Sequence, residues 1–401
     1  MRPVPPLTLD GACELIVDCL HATAPIQSEG YPLIRTPNIG KGRIDFSDVY
    51  RVSNDTYEIW TRRAAPTQGD LILAREAPAG NVAIVKDGER VCLGQRTVHL
   101  RPDRTKVDPD FLCYFLLAPV QQGKLLAGET GATAKHVNMK DIRRLELVDL
   151  PSLQYQRHAG SLLAAYDDLI ENNLRRMALL EGAALQTYRE WFVRLRFPGY
   201  EHIQVIDGKP NAWQRVSASA ALDINPRTKL ADGDEHWSVE MADLATDGMV
   251  IQRYLKRAGR SGSKFQNGDT LFARITPCLE NGKTAFVDFL GDGETARGST
   301  EFIVFRGRLI PPEFVYCLAR TYDFREHAIK SMVGSSGRQR VQESCFEKFM
   351  VLVPPSGLLS VFTESVRPNF RQIKVLHAQN HKLRAARDLL LPRLMSGEIA
   401  V

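Results

Sequence analysis

Basic residues set in glycine-containing loops are the residues of this sequence whose types and spacing could do chemistry. The first half carries such loops at residues 35–43 and 131–136, and the second half at residues 253–264 and 337–340. Glycine lets backbone N–H groups approach a phosphate closely, and Lys and Arg neutralise its charge. Arg, Asn and Gln can also bind base edges in the major groove. The pattern therefore indicates contacts to nucleic acid.

The candidate DNA-contacting residues are the polar and basic side chains of these loops, together with the Arg that closes each of two similar strand motifs. They are Arg35, Asn38, Lys41, Arg43, Arg75, Lys135, His136, Arg253, Lys256, Arg257, Arg260, Lys264, Arg274, Arg338, Gln339 and Arg340. Any one cluster could equally be solvated surface charge. Recurrence of basic glycine loops at matched places in both halves favours binding over that alternative.

Motifs for catalysis are missing together. The sequence has no phosphate-binding G-x-x-x-x-G-K-[ST] loop, no G-x-G-x-x-G, no H-E-x-x-H and no Cys/His cluster with metal-ligand spacing. It also lacks Glu-x-Lys and the [DNS]-P-P-[YFW] motif of amino-methyltransferases. Asp207-Gly208-Lys209 is best interpreted as a polar turn, and none of the nine His is assigned to catalysis. We predict a non-catalytic protein without bound metal.

Bulk composition fits an ordinary globular protein in a reducing compartment. The 401 residues suggest two or three domains, with 44% hydrophobic and 25% charged residues. The net charge of +5 permits an acidic partner without requiring one. The seven Cys form no C-x-x-C and are predicted to be free thiols. Acidic residues near the N-terminus argue against a signal peptide, and no apolar run is long enough for a membrane span. We expect a cytoplasmic location.

The two halves of the sequence repeat one another. Gln68–Arg75 (QGDLILAR) is echoed by Asn267–Arg274 (NGDTLFAR), and Pro109-Asp110-Phe111 by Pro312-Glu313-Phe314. The spacing Gly80-x-x-Ala-x-Val recurs from Gly282, Gly128-x-x-Gly131 recurs as Gly334-x-x-Gly337, and Leu150-Pro151 recurs as Val353-Pro354. Five echoes in one order predict a duplicated domain. Each copy has β-like runs such as 71–74 and 82–85, a helical stretch at 111–126, and a strand-like stretch at 142–150.

Each copy is followed by a long helical pattern. Apolar residues recur at about the helical period over residues 153–196 and again over residues 359–394. The predicted partner or coiled-coil residues are Tyr166, Ile170, Asn173, Met177, Leu180, Trp191, Phe370, Ile373, Leu376, Asn380, Leu383, Leu390 and Leu394. Asn173 and Asn380 could fix coiled-coil register, or could touch water at the stripe edge. Pro368 should start or kink the second helix. The first helix could alternatively be a long buried core helix.

The predicted fold is α/β (α+β), with two repeated globular domains separated by two long antiparallel coiled-coil helices in a pseudo-two-fold arrangement. The boundaries are 1–152 for the first domain, 153–198 for the central helix, 199–356 for the second domain and 357–401 for the C-terminal helix. Two separated, similar domains match two separated sites on a partner.

The whole pattern resembles the specificity (S) subunit of type I DNA restriction–modification systems. The closest local matches are the C-terminal LLLPRLMSGEI (Leu389–Ile399), the central EWFVRLRFPG (Glu190–Gly199) and both G-D-x-x-x-A-R segments. The resemblance implies that each domain is a target-recognition domain reading one half of a split DNA site. It also implies that the helices set the unread gap and dock two methyltransferase (M) subunits.

The resemblance further implies that cofactors act only in partner subunits. S-adenosylmethionine would bind the M subunits, and ATP and Mg²⁺ would serve the restriction (R) subunits, so the chain itself would need none. Two other functions stay open on the residues alone. One is a fused methyltransferase–nuclease, which would need the missing motifs. The other is an adaptor whose globular ends bind something other than DNA, which salt-dependent binding to duplex DNA would exclude.

Overall fold

The computed structural model of the protein describes residues 6–127 and 136–401, and it divides into two compact units. Unit 1 comprises Met1–Glu171 with Asn380–Val401, and unit 2 comprises Asn172–Gln379. The division falls inside both long helices. Each unit therefore combines one globular domain with a segment of each helix, whereas the sequence-based division into four parts follows the chain.

Unit 1 is built from short strands and helices before the first long helix. The strands are β1 (Cys13–Asp18), β2 (Tyr31–Ile34), β3 (Tyr50–Val52), β4 (Leu71–Ala74), β5 (Val82–Ile84), β6 (Cys92–Leu93) and β7 (Thr97–Pro102). The helices are α1 (Leu9–Ala12), α2 (Asn54–Thr61), α3 (Pro109–Leu117), α4 (Pro119–Leu126) and α5 (Met139–Arg144). Asp108 caps α3 by accepting a hydrogen bond from the Phe111 N–H.

Two sheets organise unit 1. The first has the antiparallel order β1-β7-β4-β5, and the second has the order β3-β2-β6 with β2 and β6 parallel. All four residues of β4 are buried, which explains its uninterrupted apolar sequence. Gly69 takes a φ of +89° directly before β4, a conformation that favours glycine. The core continues onto α3 through Phe111 and Phe115.

Unit 2 repeats this plan with additional strands. The strands are β8 (Val205–Ile206), β9 (Lys209–Pro210), β10 (Gln214–Ser217), β11 (Leu222–Ile224), β12 (Glu235–Val239), β13 (Leu255–Ala258), β14 (Ser263–Gln266), β15 (Thr270–Ala273), β16 (Thr284–Phe286), β17 (Thr295–Gly298), β18 (Phe302–Gly307) and β19 (Met350–Val353). The globular helices are α7 (Ala218–Ala221), α8 (Pro312–Ala319) and α9 (Tyr322–Lys330).

The sheet order of unit 2 confirms the predicted duplication. Its first sheet, β11-β18-β15-β16, matches β1-β7-β4-β5 strand for strand, and Gly268 has a φ of +88° before β15 as Gly69 has before β4. The second sheet, β13-β12-β17-β14, again contains a parallel pair, β12 with β17. It has a fourth strand, β14, beyond the three of unit 1. Short antiparallel pairs β10–β19 and β8–β9 complete the strands.

The two long helices span Leu153–Tyr188 and Ser356–Met395. A π-helical turn at Arg189–Val193 closes the first. We number the long helices α6 and α10, in chain order with α7–α9 between them. Within unit 1 they run antiparallel, because Tyr155 binds carbonyls of Leu394 and Ile399 while the Asn380 amide donates to the Ile170 carbonyl. Within unit 2 the Asn369 amide donates to the Leu180 carbonyl.

Two local expectations are corrected. Helix α10 runs without interruption through Pro368, so that residue does not start it. The strand expected at 142–150 is instead the end of α5 followed by an isolated bridge between Thr8 and Glu146. The buried alternation of Leu145 and Leu147 suits a strand, but only residues 7–9 lie beside it. Gly128-x-x-Gly131 lies outside the described residues. None of the described helices combines the length and apolar character that a membrane span requires.

Candidate nucleic-acid interface

The loop at residues 35–43 uses two of its candidate side chains to hold its own shape. The Arg35 guanidinium lies 3.8 Å from the centre of the Tyr50 ring. Asn38 is 4% exposed, and its amide donates to the carbonyls of Asp45 and Asp48 at 3.2 and 3.3 Å. Asn38 therefore has a structural role here, and a direct base contact by its amide stays untested.

The two remaining basic residues of this loop differ in whether their charge is already paired. Arg43 pairs with Asp168 of α6 at 2.8 Å and donates to the Ala164 carbonyl at 3.1 Å, so it fastens the loop to the long helix. Lys41 is exposed and has no ion pair among the described residues. Of the four candidates in the loop, Lys41 is the one whose charge is free to meet a phosphate.

Arg75, which closes the first G-D-x-x-x-A-R motif, is buried. Its guanidinium binds Asp18 at 2.7 Å and the Val137 carbonyl at 2.9 Å, and only 7% of the residue is exposed. His136 contacts Glu76 at 2.8 Å, and burial together with the charge of Arg75 lowers its pKa. These contacts brace unit 1 internally. Lys135 lies outside the described residues.

The Asp of each motif anchors the neighbouring strand. Asp70 accepts two hydrogen bonds from Arg101, at 3.0 and 2.7 Å, and Asp269 accepts two from Arg306, both at 2.7 Å. Burial acts to raise the pKa of Asp70, but hydrogen bonds from His99 and Arg101 outweigh it and hold the pKa well below its usual range. At Asp269 burial prevails over Arg306 and raises the pKa. The repeated motif is thus a scaffold element.

In unit 2 the basic residues of β13 and its flanks are exposed. Lys256 lies with its ammonium 5.1 Å from the centre of the Trp237 ring, and Arg257 contacts Glu240 at 3.3 Å. Arg253 contacts Asp243 at 3.2 Å, and its side chain remains 62% exposed. Arg260 donates to backbone carbonyls, including that of Leu230 at 3.3 Å. This strand presents its cations to solvent, as a phosphate-binding surface requires.

Lys264 lies on β14 beside a groove that the sequence patterns did not reveal. The cavity measures about 480 Å³ and is lined by residues 225–229 and 262–264 together with Val304. Arg227 and Lys229 are exposed on its far side. Sequence analysis missed these two because they flank Thr228 in a loop without glycine. The sequence pattern that could have predicted them is the pair of cations within three residues directly after Asn225-Pro226.

The last four candidates, Arg274, Arg338, Gln339 and Arg340, differ in their contacts. Some hold the fold together and one faces solvent. Arg340 forms a bidentate pair with Glu301 at 2.7–3.0 Å, and Arg274 contacts Glu343 at 3.3 Å. The backbone of Gln339 binds Thr276. Arg338 is exposed and forms no ion pair within the described part of the chain.

The helical candidates occupy the predicted buried stripe to different degrees. Ile170, Asn173, Met177, Phe370, Ile373, Leu376, Asn380 and Leu394 are buried, whereas Tyr166, Leu180, Trp191, Leu383 and Leu390 are half-buried. Asn380 is fully buried and donates to the Ile170 carbonyl at 3.3 Å. A buried amide at this position can fix the register of the helix pair. Contacts of these residues with a partner protein stay a prediction.

Comparison with known proteins shows similarity to one family. A family model for the type I restriction modification DNA specificity domain matches residues 20–181. The MjaIX specificity subunit of Methanocaldococcus jannaschii is 22% identical over 357 residues, which cover 83% of this chain and 78% of that protein. The HindI specificity subunit of Haemophilus influenzae is 20% identical, with 84% and 88% covered. Residues 20–181 thus resemble the type I restriction modification DNA specificity domain, and two relatives that match most of the chain are type I specificity subunits.

Two further similarities concern part of the sequence and the fold, respectively. The EcoAI specificity subunit of Escherichia coli is 29% identical, but over 154 residues that cover 36% of this chain and 26% of that protein. The crystal structure of an S subunit from M. genitalium aligns with a TM-score of 0.55 at 14% identity, covering 96% of this chain and 94% of that one. This structural likeness shows a shared fold.

The prediction that this chain is not itself an enzyme agrees with the matched relatives, which are specificity subunits. Among residues 6–127 and 136–401, no group of three or more His, Cys, Asp or Glu side chains could hold a metal ion. Among the sequence-predicted candidates that the structure describes, the exposed cations of unit 2 and Lys41 of unit 1 are the basic side chains that face solvent.

Proposed function

We propose that this specificity subunit directs a type I complex to a bipartite DNA sequence, with each unit reading one half. The observation that carries the proposal is the duplicated domain. Both copies have the same first-sheet order and the same Asp–Arg anchor, and both display basic side chains on loops. Two similar readers on one chain suit two half-sites separated by bases that neither contacts.

The long helices set the unread gap and dock two M subunits, and R subunits join the complex for cleavage. Support for the spacer role comes from the continuity of α6 and α10, at 36 and 40 residues. At 1.5 Å per residue these are rods of about 54 and 60 Å. The chain itself carries no cofactor. S-adenosylmethionine, ATP and Mg²⁺ belong to the partner subunits, and the complex acts in the cytoplasm.

The experiment is methylation mapping of host DNA with and without this gene, in the presence of the cognate M subunit. We expect a new bipartite methylated motif that depends on the gene. Replacing residues 1–152 with the matching domain of a relative should change one half of the motif and leave the other intact. Methyl transfer by the chain without an M subunit would contradict the proposal, as would a swap that alters both halves.

A further inference from the structure

The groove beside β14 has a counterpart at the same place in unit 1, and the two differ in volume and in the charge of their lining. In the first sheet of each unit, Ile72 pairs with His99 and Leu271 pairs with Val304. Ile72 and Leu271 hold the same position of the repeated motif, so His99 and Val304 are equivalent. Val304 lines the groove of unit 2, and His99 lines a cavity of unit 1. Repetition of the fold therefore provides an internal control.

In unit 1 this place is closed. The cavity there measures about 20 Å³, which holds at most one water molecule. Trp60 and Pro66 help to fill it, and its charged lining combines Asp18, which is already bound to Arg75 at 2.7 Å, with the exposed Arg63. A cavity of this size has no room for a phosphate group.

In unit 2 the same place is open and basic. Arg227, Lys229 and Lys264 surround a cavity of about 480 Å³, and no ion pair to any of them occurs within the described residues. The neutral polar groups of the lining are already used. The Asn225 side chain accepts from the Val304 N–H at 2.9 Å, and the Thr228 hydroxyl accepts from Arg306 at 3.0 Å. The charges left free are therefore all positive.

The difference follows from the strand that unit 1 lacks. In unit 2 the residues before Gly268-Asp269 form β14, which pairs with β17 and places Lys264 opposite Arg297. Arg297 donates to the Ala258 carbonyl at 2.7 Å, while its buried Nε has no hydrogen-bond partner. In unit 1 the residues before Gly69-Asp70 are Ala64-Ala65-Pro66-Thr67, which carry no charge and form no strand. The extra strand thus adds one basic side chain, Lys264, beside Arg297 of β17.

We propose that the groove formed by Arg227, Lys229 and Lys264 holds phosphate groups of the DNA backbone, and that unit 2 alone supplies contacts from this place in the fold. The inference rests on the proposed function for the presence of DNA. It adds that the two units contribute unequally to DNA binding. The second unit contributes electrostatic, sequence-independent affinity for DNA that the first unit lacks at the matching position.

The test is the salt dependence of binding by the full chain to a random-sequence DNA duplex, followed by fluorescence anisotropy. The groove variant carries Arg227→Gln, Lys229→Gln and Lys264→Gln. The control variant removes the same charge from exposed positions of unit 2 outside the groove, as Arg189→Gln, Arg196→Gln and Lys348→Gln. Each lost phosphate contact lowers the slope of log K against log salt by about 0.9, so the groove variant should lose about 2–3 while the control keeps the parental slope.

A second readout separates this inference from the proposed function. Phosphate contacts position a protein without reading sequence, so complexes with the groove variant should methylate the parental motif less efficiently at raised salt. Equal slopes for the groove variant and the parent, or equal losses in both variants, would overturn the groove assignment while leaving the specificity function intact. Binding of inorganic phosphate at millimolar concentration to the parent but not to the groove variant, with equal duplex binding by both, would assign the groove to a free anion and also overturn it. A parent chain without salt-dependent DNA binding would overturn both.

Discussion

The two units fasten their globular domains to the long helices by different chemistry. In unit 1 a buried polar cluster accompanies apolar packing by helix residues such as Leu163 and Leu394. Asp167 of α6 accepts a hydrogen bond from Tyr114 at 2.7 Å and pairs with Arg387 of α10. Its neighbour Asp168 binds Arg43 and Lys86, both at 2.8 Å. Three basic side chains and one tyrosine hydroxyl thus donate to two adjacent carboxylates.

In unit 2 the corresponding contact is largely aromatic. The Phe192 ring lies 4.7 Å from that of Phe314 and 4.9 Å from that of Phe362, and Tyr188 lies 4.9 Å from Phe314. Two buried carboxylates add polar contacts. Glu181 binds Tyr316 and the Met249 N–H, and burial raises its pKa despite those contacts. Glu313 pairs with Arg367 of α10 at 2.6 Å. Unit 2 is therefore held mainly by buried apolar area.

This difference predicts different sensitivities. Polar contacts require defined partners and respond to charge removal, whereas an aromatic cluster responds to lost volume. The chain offers separate probes for the two units. Trp60 lies in unit 1, and the other three of the four Trp residues, at 191, 213 and 237, lie in unit 2. A Trp60→Phe background makes tryptophan fluorescence report on unit 2.

The largest effect is expected from Phe192→Ala. Removing a fully surrounded ring leaves a cavity beside Phe314 and Phe362, and such truncations cost about 3–5 kcal/mol. Urea unfolding followed by fluorescence in the Trp60→Phe background should show unit 2 unfolding at lower denaturant. Phe192→Leu is the matched control, with a smaller loss. A shift in the circular dichroism transition of unit 1 as large as that of unit 2 would show that the two contacts are not separable.

Asp167→Asn should cause the next largest loss of stability. Only 4% of the Asp167 side chain and 15% of the Arg387 side chain are exposed. The variant leaves Arg387 partly buried with Asp388 as its remaining acidic neighbour. Breaking a buried pair costs about 3–5 kcal/mol, and the partial exposure of Arg387 should reduce that cost. A double-mutant cycle with Arg387→Met, measured by thermal unfolding, should recover part of the loss. Additive losses would mean that the pair does not act as a unit.

The sequence predicted the parts of this architecture that depend on local pattern. Helix α6, strand β4 and the duplication follow from apolar spacing and from motifs such as Gly69-Asp70 and Gly268-Asp269. Each depends on residues close together in the chain, where periodicity and turn chemistry decide the outcome.

The sequence could not predict which basic residues are free. Arg43 and Arg75 are bound by carboxylates 125 and 57 positions away in the chain, respectively. A composition-based pattern cannot foresee such pairing, since it depends on the folded arrangement. The same reason hides the groove at Arg227 and Lys229, whose third cation, Lys264, comes from a strand formed only in unit 2. The DNA contacts of the sequence-based site residues stay a prediction, and the sequence did not predict the geometry of the site.

A third variant, Asp288→Asn, tests whether unit 2 also contains a charge-sensitive contact. Burial raises the pKa of Asp288 to about 6, against the opposing effect of Lys374. Because the folded pKa lies above the unfolded value, ionisation costs stability, and unit 2 should lose stability as pH rises from about 4 through 6. One pKa unit corresponds to about 1.4 kcal/mol, so the Asn variant should be more stable than the parent by about 1–2 kcal/mol at pH 8. Equal pH profiles for variant and parent, from thermal melts at pH 4–8, would contradict this.

The smallest effect is expected from Asp168→Asn, which is the matched control for Asp167→Asn on the same helix. The Asp168 side chain is 54% exposed, so solvent screens its pairs with Arg43 and Lys86, and exposed pairs contribute about 0.2–1 kcal/mol. Burial acts to raise its pKa, but hydrogen bonds from Lys86 and Arg43 outweigh burial and lower the pKa. The parental contribution is therefore present at neutral pH and is lost as pH falls through the folded pKa, and the Asn variant should converge with the parent in acid. Thermal melts of both variants at pH 7 and pH 3 give the measurement. If Asp168→Asn costs as much as Asp167→Asn at pH 7, burial does not rank the two carboxylates, and the polar contact of unit 1 acts as one cooperative network.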